Sequence, residues 1–248
     1  MSCSLKLTSV TLNYAIYSVR AKSLRSSLFN LAVGGRLYRS QGDITHVRAL
    51  DGVSLQAHEG DRIAIVGHNG SGKTTLLKVI SGIYEPDAGL VEVEGQLTSM
   101  ISHGAGLDPE VTGIQNIRTL GAMRLMPRRV IEERIEPIIE FSELGGFARL
   151  PLKTYSAGMT ARLMFAVATE FEADILVLDE WLGAGDAHFM IKAAERMREF
   201  VSKAKIVILG THDVNLVRTV CNKVCELEGG RVIFFGSTEE WFDRKAAA

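Results

Sequence analysis

The chain has 248 residues, of which 46% are hydrophobic and 23% are charged, a composition that excludes a disordered or fibrous protein. Its 28 lysine and arginine residues balance 29 acidic residues, so the net charge of -1 gives no indication of a nucleic-acid partner. Three cysteines are too few for a disulfide framework, and neither signal-peptide features nor an apolar run of about 18 residues occur, so the sequence predicts a cytosolic protein.

The first predicted elements are strands followed by a helix. Residues 5–16 alternate apolar and polar side chains, with one slip near Ser9, which is typical of a strand. Two more strands are predicted around Ala49–Leu55 and Asp61–Val66, the latter a short apolar run bounded by turn residues. A glycine-rich loop comes next, and helical spacing of apolar residues begins at Lys73.

A basic segment over residues 18–48 separates the first two strands. Within it, a helix over about 22–34 is predicted, because three leucines recur with helical spacing among basic residues. A basic amphipathic helix favours a membrane surface or a partner protein, and the alternative is a basic loop packed by its own leucines. The leucines are Leu24, Leu28 and Leu31, and the nearby basic residues are Arg20, Lys22, Arg25 and Arg36.

The rest of the chain alternates helices with strands. Residues 108–158 are predicted to be mostly helical, with a kink or break at Pro137, and Ser156 is predicted to cap a helix that runs to about Phe171. Further predicted elements are a strand over Ile175–Leu178, helices over 186–203 and 213–222, a strand over 205–210, and a hairpin around Glu228–Arg231. This alternation predicts an α/β fold, with helices on both faces of a parallel sheet.

Residues 67–74, GHNGSGKT, fit the phosphate-loop pattern G-x-x-x-x-G-K-[ST] between a predicted strand and a predicted helix. Glycines allow the backbone N–H groups and the helix N-terminus to point at a phosphate, whereas a dinucleotide-binding fingerprint has a different glycine order and no such lysine. Lys73 is expected to contact the β- and γ-phosphates, and the Thr74 hydroxyl to bind Mg²⁺. The predicted nucleotide-binding residues are Gly67, His68, Asn69, Gly70, Ser71, Gly72, Lys73, Thr74 and Thr75.

Two acidic residues, Asp179 and Glu180, follow an apolar strand directly. In an open α/β sheet, ligands bind at the carboxyl ends of the strands. Asp179 therefore suits the Mg²⁺ shell, usually through water, and Glu180 suits the general base that orients and polarises the attacking water. An acidic pair on its own is usually a solvated loop, but the phosphate loop upstream favours a functional pair.

Three more segments complete a set of motifs: YSAGM at 155–159, GAGD at 183–186 and THD at 211–213. In this order and spacing, over nearly the whole chain, the set resembles the nucleotide-binding subunit of ABC transporters. The resemblance implies one ATP-binding domain over residues 1–248, with a P-loop NTPase (RecA-like) parallel-sheet core, an antiparallel β part and a helical subdomain over about 108–160. It also implies ATP hydrolysis with Mg²⁺ in a homodimer that sandwiches ATP.

The resemblance also implies roles for single residues. Ser156 and Gly158, at a helix start, would bind the γ-phosphate of ATP held by the other copy. His212 would sense the γ-phosphate as a catalytic residue, together with Glu180 and Lys73, and Asp186 would lie in the loop that communicates across the dimer.

Two further assignments depend on alignment with the family. Tyr14 matches the aromatic residue that stacks on adenine, with Tyr17 as the alternative. The coupling loop normally carries a glutamine, but alignment through residues 106–113 puts Asp108 there, where its shorter carboxylate would reach a metal-bound water.

One branch of the family is particularly similar. The segment YSAGM at 155–159 corresponds to the signature motif of the family. It ends in Met159 where the motif has glutamine, and it has Ala157 in place of the motif's first glycine. These departures, with the phrases GHNGSGKTTLLKVISGIYEP, EFSELGGF, KTYSAGM and DEWLGAGDAHF, resemble exporters of lipid-linked O-antigen, capsule and teichoic-acid polymers. Such members carry an amphipathic helix near the lipid interface at the position of the basic segment.

The branch implies an arrangement as well as a substrate. Two copies would serve two copies of a separate multi-span membrane permease, peripherally on the cytoplasmic face of the inner membrane, and lipid-linked polysaccharide would pass through the transporter. Since the sequence ends soon after Trp241, no C-terminal carbohydrate-binding domain is expected. The alternatives are an ABC ATPase for another transported substrate and a soluble ABC ATPase without a membrane partner.

Overall fold

A computed structural model of the protein describes residues 3–16, 36–39, 45–101, 106–180 and 187–247. The predicted amphipathic helix over about 22–34, Tyr17 and Asp186 lie outside these residues. The chain divides into two compact units. The first takes its described residues from 1–101, 174–180 and 205–248, and the second from 102–173 and 181–204. The second unit contains the segment predicted as a helical subdomain and extends beyond it in both directions.

Strands belong to the first unit and most of the helices to the second. The strands are β1 (Ser4–Ile16), β2 (Arg36–Arg39), β3 (Thr45–His58), β4 (Arg62–Val66), β5 (Ala88–Glu94), β6 (Leu97–Met100), β7 (Ile175–Asp179), β8 (Ile206–Gly210), β9 (Lys223–Glu228) and β10 (Arg231–Ser237). The α-helices are α1 (Lys73–Ile80), α2 (Gly113–Met123), α3 (Arg128–Ser142), α4 (Ala157–Glu170), α5 (Ala187–Lys203), α6 (Val214–Val220) and α7 (Thr238–Ala246). Two short 3₁₀ helices cover Gly145–Arg149 and Leu152–Thr154.

One sheet of the first unit is antiparallel, with the strand order β2-β3-β1-β5. The slip predicted near Ser9 is confirmed, since Ser9 has a φ of 49° and the register between β1 and β3 shifts at this point. A bulge inserts one residue into a strand whose side chains alternate between two faces. It thereby keeps four apolar side chains of β1 buried: Leu5, Leu7, Val10 and Leu12.

The other sheet has the order β10-β9-β4-β8-β7-β6, and its strands β9, β4, β8, β7 and β6 pair in parallel. The predicted parallel sheet is therefore confirmed. The central strands β7 and β8 are almost entirely apolar because they are buried along nearly their whole length. The strands predicted around Ala49–Leu55 and Asp61–Val66 both exist but lie in different sheets, because β3 pairs with β1 whereas β4 pairs with β8 and β9.

Helices of the second unit follow the predicted pattern except at Pro137. The side chain of Ser156 accepts a hydrogen bond from the Met159 N–H and caps α4, as predicted. Of the kink or break predicted at Pro137, the break is wrong, because α3 continues through this residue to Ser142. Pro137 is on the exposed side of α3, where water can satisfy the backbone carbonyl that loses its partner, while Ile135 and Ile138 hold the helix in the core.

All three cysteines of the chain, Cys3, Cys221 and Cys225, are free and buried. Burial raises the pKa of Cys221 and of Cys225 to about 12. An unfolded cysteine ionises near pH 8.5, so the unfolded state loses these protons at a lower pH than the folded state does. The contribution of the two thiols to the free energy of unfolding is therefore fully present below about pH 8.5. It declines as the pH rises from there toward 12.

We expect the folded protein to resist thiol-modifying reagents at pH 8 and to unfold at a lower urea concentration at pH 10 than at pH 7. Labelling kinetics followed by mass spectrometry and urea unfolding curves measure the two effects. A variant with Cys221→Ala and Cys225→Ala should lose less stability between the two pH values than the wild type does. Rapid labelling of the folded chain would contradict this prediction.

Candidate functional site

The phosphate loop connects β4 to α1 in the first unit, as the sequence predicts. Gly72 precedes α1 in a left-handed conformation, and no side chain of the described residues caps this helix. The first N–H groups of a helix have no partner within the helix itself. The N-terminus of α1, formed by Lys73, Thr74 and Thr75, is therefore open to an anion, which the partial positive charge of the helix end favours.

Lys73 places its charge within this loop. Its Nζ donates hydrogen bonds to the carbonyl oxygens of Gly67, at 2.8 Å, and His68, at 3.1 Å. The Ser71 hydroxyl is buried and has no hydrogen-bond partner in the described part of the chain. The loop thus offers an ammonium group and backbone donors that suit the oxygens of a phosphate.

A depression of about 290 Å³ brings most of the predicted site residues together. Its lining includes Lys73 and Thr74 of the phosphate loop and Asp179 and Glu180 at the end of β7. Hydroxyl and carboxylate oxygens are the hard ligands that Mg²⁺ prefers, so Thr74 and Asp179 have the chemistry for this ion. The structure therefore gathers around one cavity residues that are more than 100 positions apart in sequence.

Tyr14, on β1, lines the same depression beside Val47 and Ala49 of β3. Its hydroxyl lies 3.3 Å from the hydroxyl of Thr75, and its ring packs edge-on against Tyr84, with the centroids 5.8 Å apart. Tyr14 is 37% exposed, which leaves part of this ring accessible from the depression. The position fits a residue that packs against a nucleobase.

Glu180 has a backbone conformation that is unusual for a residue with a side chain, because its φ is 66°. The left-handed region costs about 1–2 kcal/mol for residues other than glycine, and such strain is concentrated at functional sites. Here the Glu180 N–H donates to the carbonyl oxygen of Gly210 at 2.9 Å. Glu180 Oε1 lies 3.1 Å from His212 Nδ1. Two residues proposed from separate motifs are thus in direct contact.

Gly210, the last residue of β8, was not identified from the sequence. A Cβ atom at this position would lie 3.0 Å from Asp179 Oδ1 and 2.6 Å from a methyl group of Leu77. The Gly210 carbonyl also accepts the hydrogen bond from the Glu180 N–H, so this glycine lies against both acidic residues and bonds to one of them. The only local signal is a glycine that ends an apolar run directly before Thr211 and His212.

We expect Gly210→Ala to lower ATP turnover about tenfold, because the added methyl group would displace the Asp179 carboxylate. The Mg²⁺ concentration for the half-maximal rate should rise at the same time. Gly146→Ala is the matched control, since no atom of the residues that the structure describes lies within 4 Å of a Cβ there. Unchanged turnover and Mg²⁺ dependence in Gly210→Ala would show that the acidic pair tolerates the methyl group.

Three predicted residues, Asp108, Ser156 and Gly158, lie in the second unit. The space around Gly158 is open within the described part of the chain, since, apart from the backbone of its own helix, the one atom within 4 Å of a Cβ there is Ser156 Oγ, at 3.9 Å. Asp108 Oδ1 accepts a hydrogen bond from the Glu110 N–H, and the Asp108 backbone is held by the buried side chain of Asn116. The Asp108 carboxylate therefore shapes its own loop, and its role near a metal stays a prediction.

The segment that contains this site matches a known protein family. The model of the ABC transporter family matches residues 50–183, a segment that includes both the phosphate loop and the acidic pair. The chain belongs to the ABC transporter family. It is accordingly an ATPase subunit of the ABC type, and the α/β fold with a parallel sheet, an antiparallel sheet and a helical unit is that of this family.

Two relatives of this ABC subunit cover almost its whole length. It is 41% identical to the O-antigen export system ATP-binding protein RfbE of Yersinia enterocolitica, over 92% of this chain and 96% of that protein. It is 37% identical to the teichoic acids export ATP-binding protein TagH of Staphylococcus haemolyticus, over 97% of this chain and 87% of that protein.

Solved structures agree with this fold. A dimeric ATP-binding cassette in a post-hydrolysis state with ADP and Pi superposes with a TM-score of 0.67 and 21% identity, over 94% of this chain and 98% of that one. The ATP-binding subunit of an ABC transporter gives a TM-score of 0.70 and 20% identity, over 98% of this chain and 93% of that one. Among the described residues, no helix is both long and apolar enough to cross a membrane.

Proposed function

We propose that this ABC subunit hydrolyses ATP to drive export of a lipid-linked polysaccharide, of the O-antigen or capsule type, across the inner membrane. The observation that carries the proposal is the 41% identity to an O-antigen export ATP-binding protein over 92% of the chain. Similarity to a teichoic acids export protein supports the same class of cargo, since both names denote exported cell-surface polymers.

The depression at the phosphate loop is the ATP site in this proposal. Lys73 and the N-terminus of α1 would bind the β- and γ-phosphates, and Tyr14 would pack against adenine. Thr74 and Asp179 would hold Mg²⁺, which neutralises charge on the phosphates when it is bound. This assignment is supported by the lining of a single depression with all four side chains.

Glu180 would act as the general base. Its carboxylate would accept a proton from water as the water oxygen bonds to the γ-phosphorus and the bond to the bridging oxygen of ADP breaks. His212, 3.1 Å from Glu180 Oε1, would orient this carboxylate and contact the γ-phosphate. The hydrogen bond from the Glu180 N–H to Gly210 would fix the backbone from which the carboxylate extends.

The subunit would act as a homodimer on the cytoplasmic face of the inner membrane, peripherally, with a separate multi-span permease. Ser156 and Gly158 of one copy would complete the ATP site of the other copy. This assignment is supported by the position of Ser156 at the start of α4 and by the space that the described residues leave open around Gly158. The basic segment over 18–48 would contact the lipid surface.

The test is deletion of the gene in its own host, followed by complementation with the wild type, Glu180→Gln, or Glu136→Gln as an exposed control. We expect the deletion and Glu180→Gln to lose surface polysaccharide and to accumulate lipid-linked polymer inside the cell. Wild type and Glu136→Gln should restore export. Normal surface polymer in the deletion strain would rule out this cargo.

A further inference from the structure

The hairpin between β9 and β10 contacts the phosphate loop through its turn. Gly229 and Gly230 form the turn, with φ values of 54° and 78°, as in the tight two-residue turns of hairpins. The Gly230 N–H donates to the carbonyl oxygen of Ser71 at 3.0 Å, and the Gly230 carbonyl accepts from the Asp51 N–H at 2.9 Å. One residue of the hairpin thus joins the phosphate loop to β3.

The hydrogen bond to Ser71 also orients the next N–H group of the phosphate loop. The Ser71 carbonyl and the Gly72 N–H belong to one peptide unit, and in a trans peptide these two groups point in opposite directions. Since Gly230 holds the carbonyl on the hairpin side, the Gly72 N–H is turned away from the hairpin. Gly72 lines the depression in which the phosphates would lie, so this N–H is available to them.

The packing of the turn against β3 leaves no room for a side chain at position 230. A Cβ atom there would lie 2.6 Å from the carbonyl oxygen of Ala49 and 3.0 Å from its carbon. A Cβ atom at Gly72 would lie 2.8 Å from the same Ala49 oxygen. These neighbours are backbone atoms, which cannot rotate away as the end of a flexible side chain can. Any side chain at position 230 would therefore push the turn away from β3. Because the same residue bonds to Ser71, this movement would disturb the contact with the phosphate loop.

An ion pair fastens the same hairpin to β3. The Asp51 carboxylate accepts a hydrogen bond from Arg231 Nε at 2.7 Å, and it lies 2.6 Å from Arg231 Nη2 and 3.2 Å from Arg48 Nη1. The Arg231 guanidinium lowers the pKa of Asp51, so the carboxylate stays charged at neutral pH. Arg231 directly follows Gly230, and the pair therefore holds the turn against β3.

We propose that the hairpin turn, through Gly230, is a brace that sets the phosphate loop for ATP binding. Gly230 is a positioning residue that acts through Ser71 and Gly72 and makes no contact with ATP itself. The inference rests on the proposed ATP site and adds an element outside its motifs. Its consequence is that ATP affinity depends on a turn that follows the phosphate loop by about 160 residues.

The experiment compares Gly230→Ala with Gly82→Ala in the full chain. Gly82 has a φ of 68°, and no described residue comes within 4 Å of a Cβ at this position, so its variant carries similar backbone strain without the clash. Binding of a fluorescent N-methylanthraniloyl ATP with Mg²⁺ and melting of the free protein are measured for both. We expect Gly230→Ala to bind at least about tenfold more weakly, whereas Gly82→Ala should bind like the wild type even if its melting temperature falls.

Asp51→Asn provides a second measurement that does not depend on the folding of Gly230→Ala. It weakens the ion pair to Arg231 without adding an atom to the backbone, and we expect about threefold weaker ATP binding. If the wild type and every folded variant at positions 51 and 230 bound the ATP analogue with equal affinity, the proposal of a brace would be wrong. If neither the wild type nor Gly82→Ala bound the analogue, the proposed ATP site itself would be wrong, and the brace would fall with it.

Discussion

Replacing Glu180 with glutamine is expected to leave ATP binding intact and to lower turnover by about 10²–10⁴-fold, the usual loss when a general base is removed. Glutamine keeps the shape of the side chain and an oxygen that can still accept a hydrogen bond from His212, 3.1 Å away in the wild type. An amide cannot accept the proton of the attacking water. ATP should therefore remain bound and hold two copies together.

Steady-state hydrolysis by the subunit with its membrane partner measures the rate, and size-exclusion chromatography with ATP measures the trapped dimer. Glu136→Gln is the control, since Glu136 lies on the exposed side of α3 and should not affect either quantity. Near-normal hydrolysis in purified Glu180→Gln would remove Glu180 from the role of general base.

Mixing two inactive variants is expected to restore hydrolysis if each ATP site uses two copies of the chain. Lys73→Ala should lose the phosphate contact, and Ser156→Arg should block the partner's γ-phosphate, so each variant alone should be nearly inactive. In a symmetric dimer, random pairing of equal amounts gives mixed dimers with one intact site, and about a quarter of all sites are then intact.

Hydrolysis rates of the two variants, alone and mixed, measure this complementation. The rate of the wild type should also rise faster than linearly with its concentration in the dilute range, because two copies must meet. Two results would contradict the shared site: no activity in the mixture, and a strictly linear concentration dependence for a chain shown to be monomeric.

Much of the parallel sheet could be predicted because its strands carry a strong local signal. Strands β7 and β8 are continuous apolar runs, and burial of nearly every residue is what such a run indicates. Strands β5 and β6 were missed, since β5 is an edge strand with most of its residues exposed, and β6 has four residues, two of them Thr98 and Ser99. Their pairing depends on partners that are distant in sequence, which local patterns do not report.

Helix α7 was missed for a different reason. It buries only Trp241, so it has no apolar stripe, and its remaining residues are mostly polar or charged. A capping box nevertheless marks its start, since Ser237 and Glu240 each bond to the backbone of the other. This signal was present in the sequence and could have identified the helix.

The site residues could be predicted where a motif fixes both residue type and spacing. The phosphate loop and the pair Asp179 and Glu180 belong to this class, and the structure places them around one depression. The roles of Gly210 and Gly230 could not be read from spacing, because each depends on atoms of other segments that the tertiary fold brings close. The left-handed conformation of Glu180 is likewise a property of the folded chain.

Alanine scanning would give a misleading map of this protein at Gly210 and Gly230. The usual interpretation is that alanine removes contacts, but at these two positions it adds a methyl group within 3.0 Å of existing atoms. A severe phenotype there would record crowding, of the Ala49 backbone at Gly230 and of the Leu77 and Asp179 side chains at Gly210, although neither glycine has a side chain that could touch ATP. Ranking residues by such a scan would thus place two glycines among the apparent ATP ligands. Substitutions that enlarge the side chain by steps would distinguish residues that contact ATP from glycines whose replacement only crowds their neighbours.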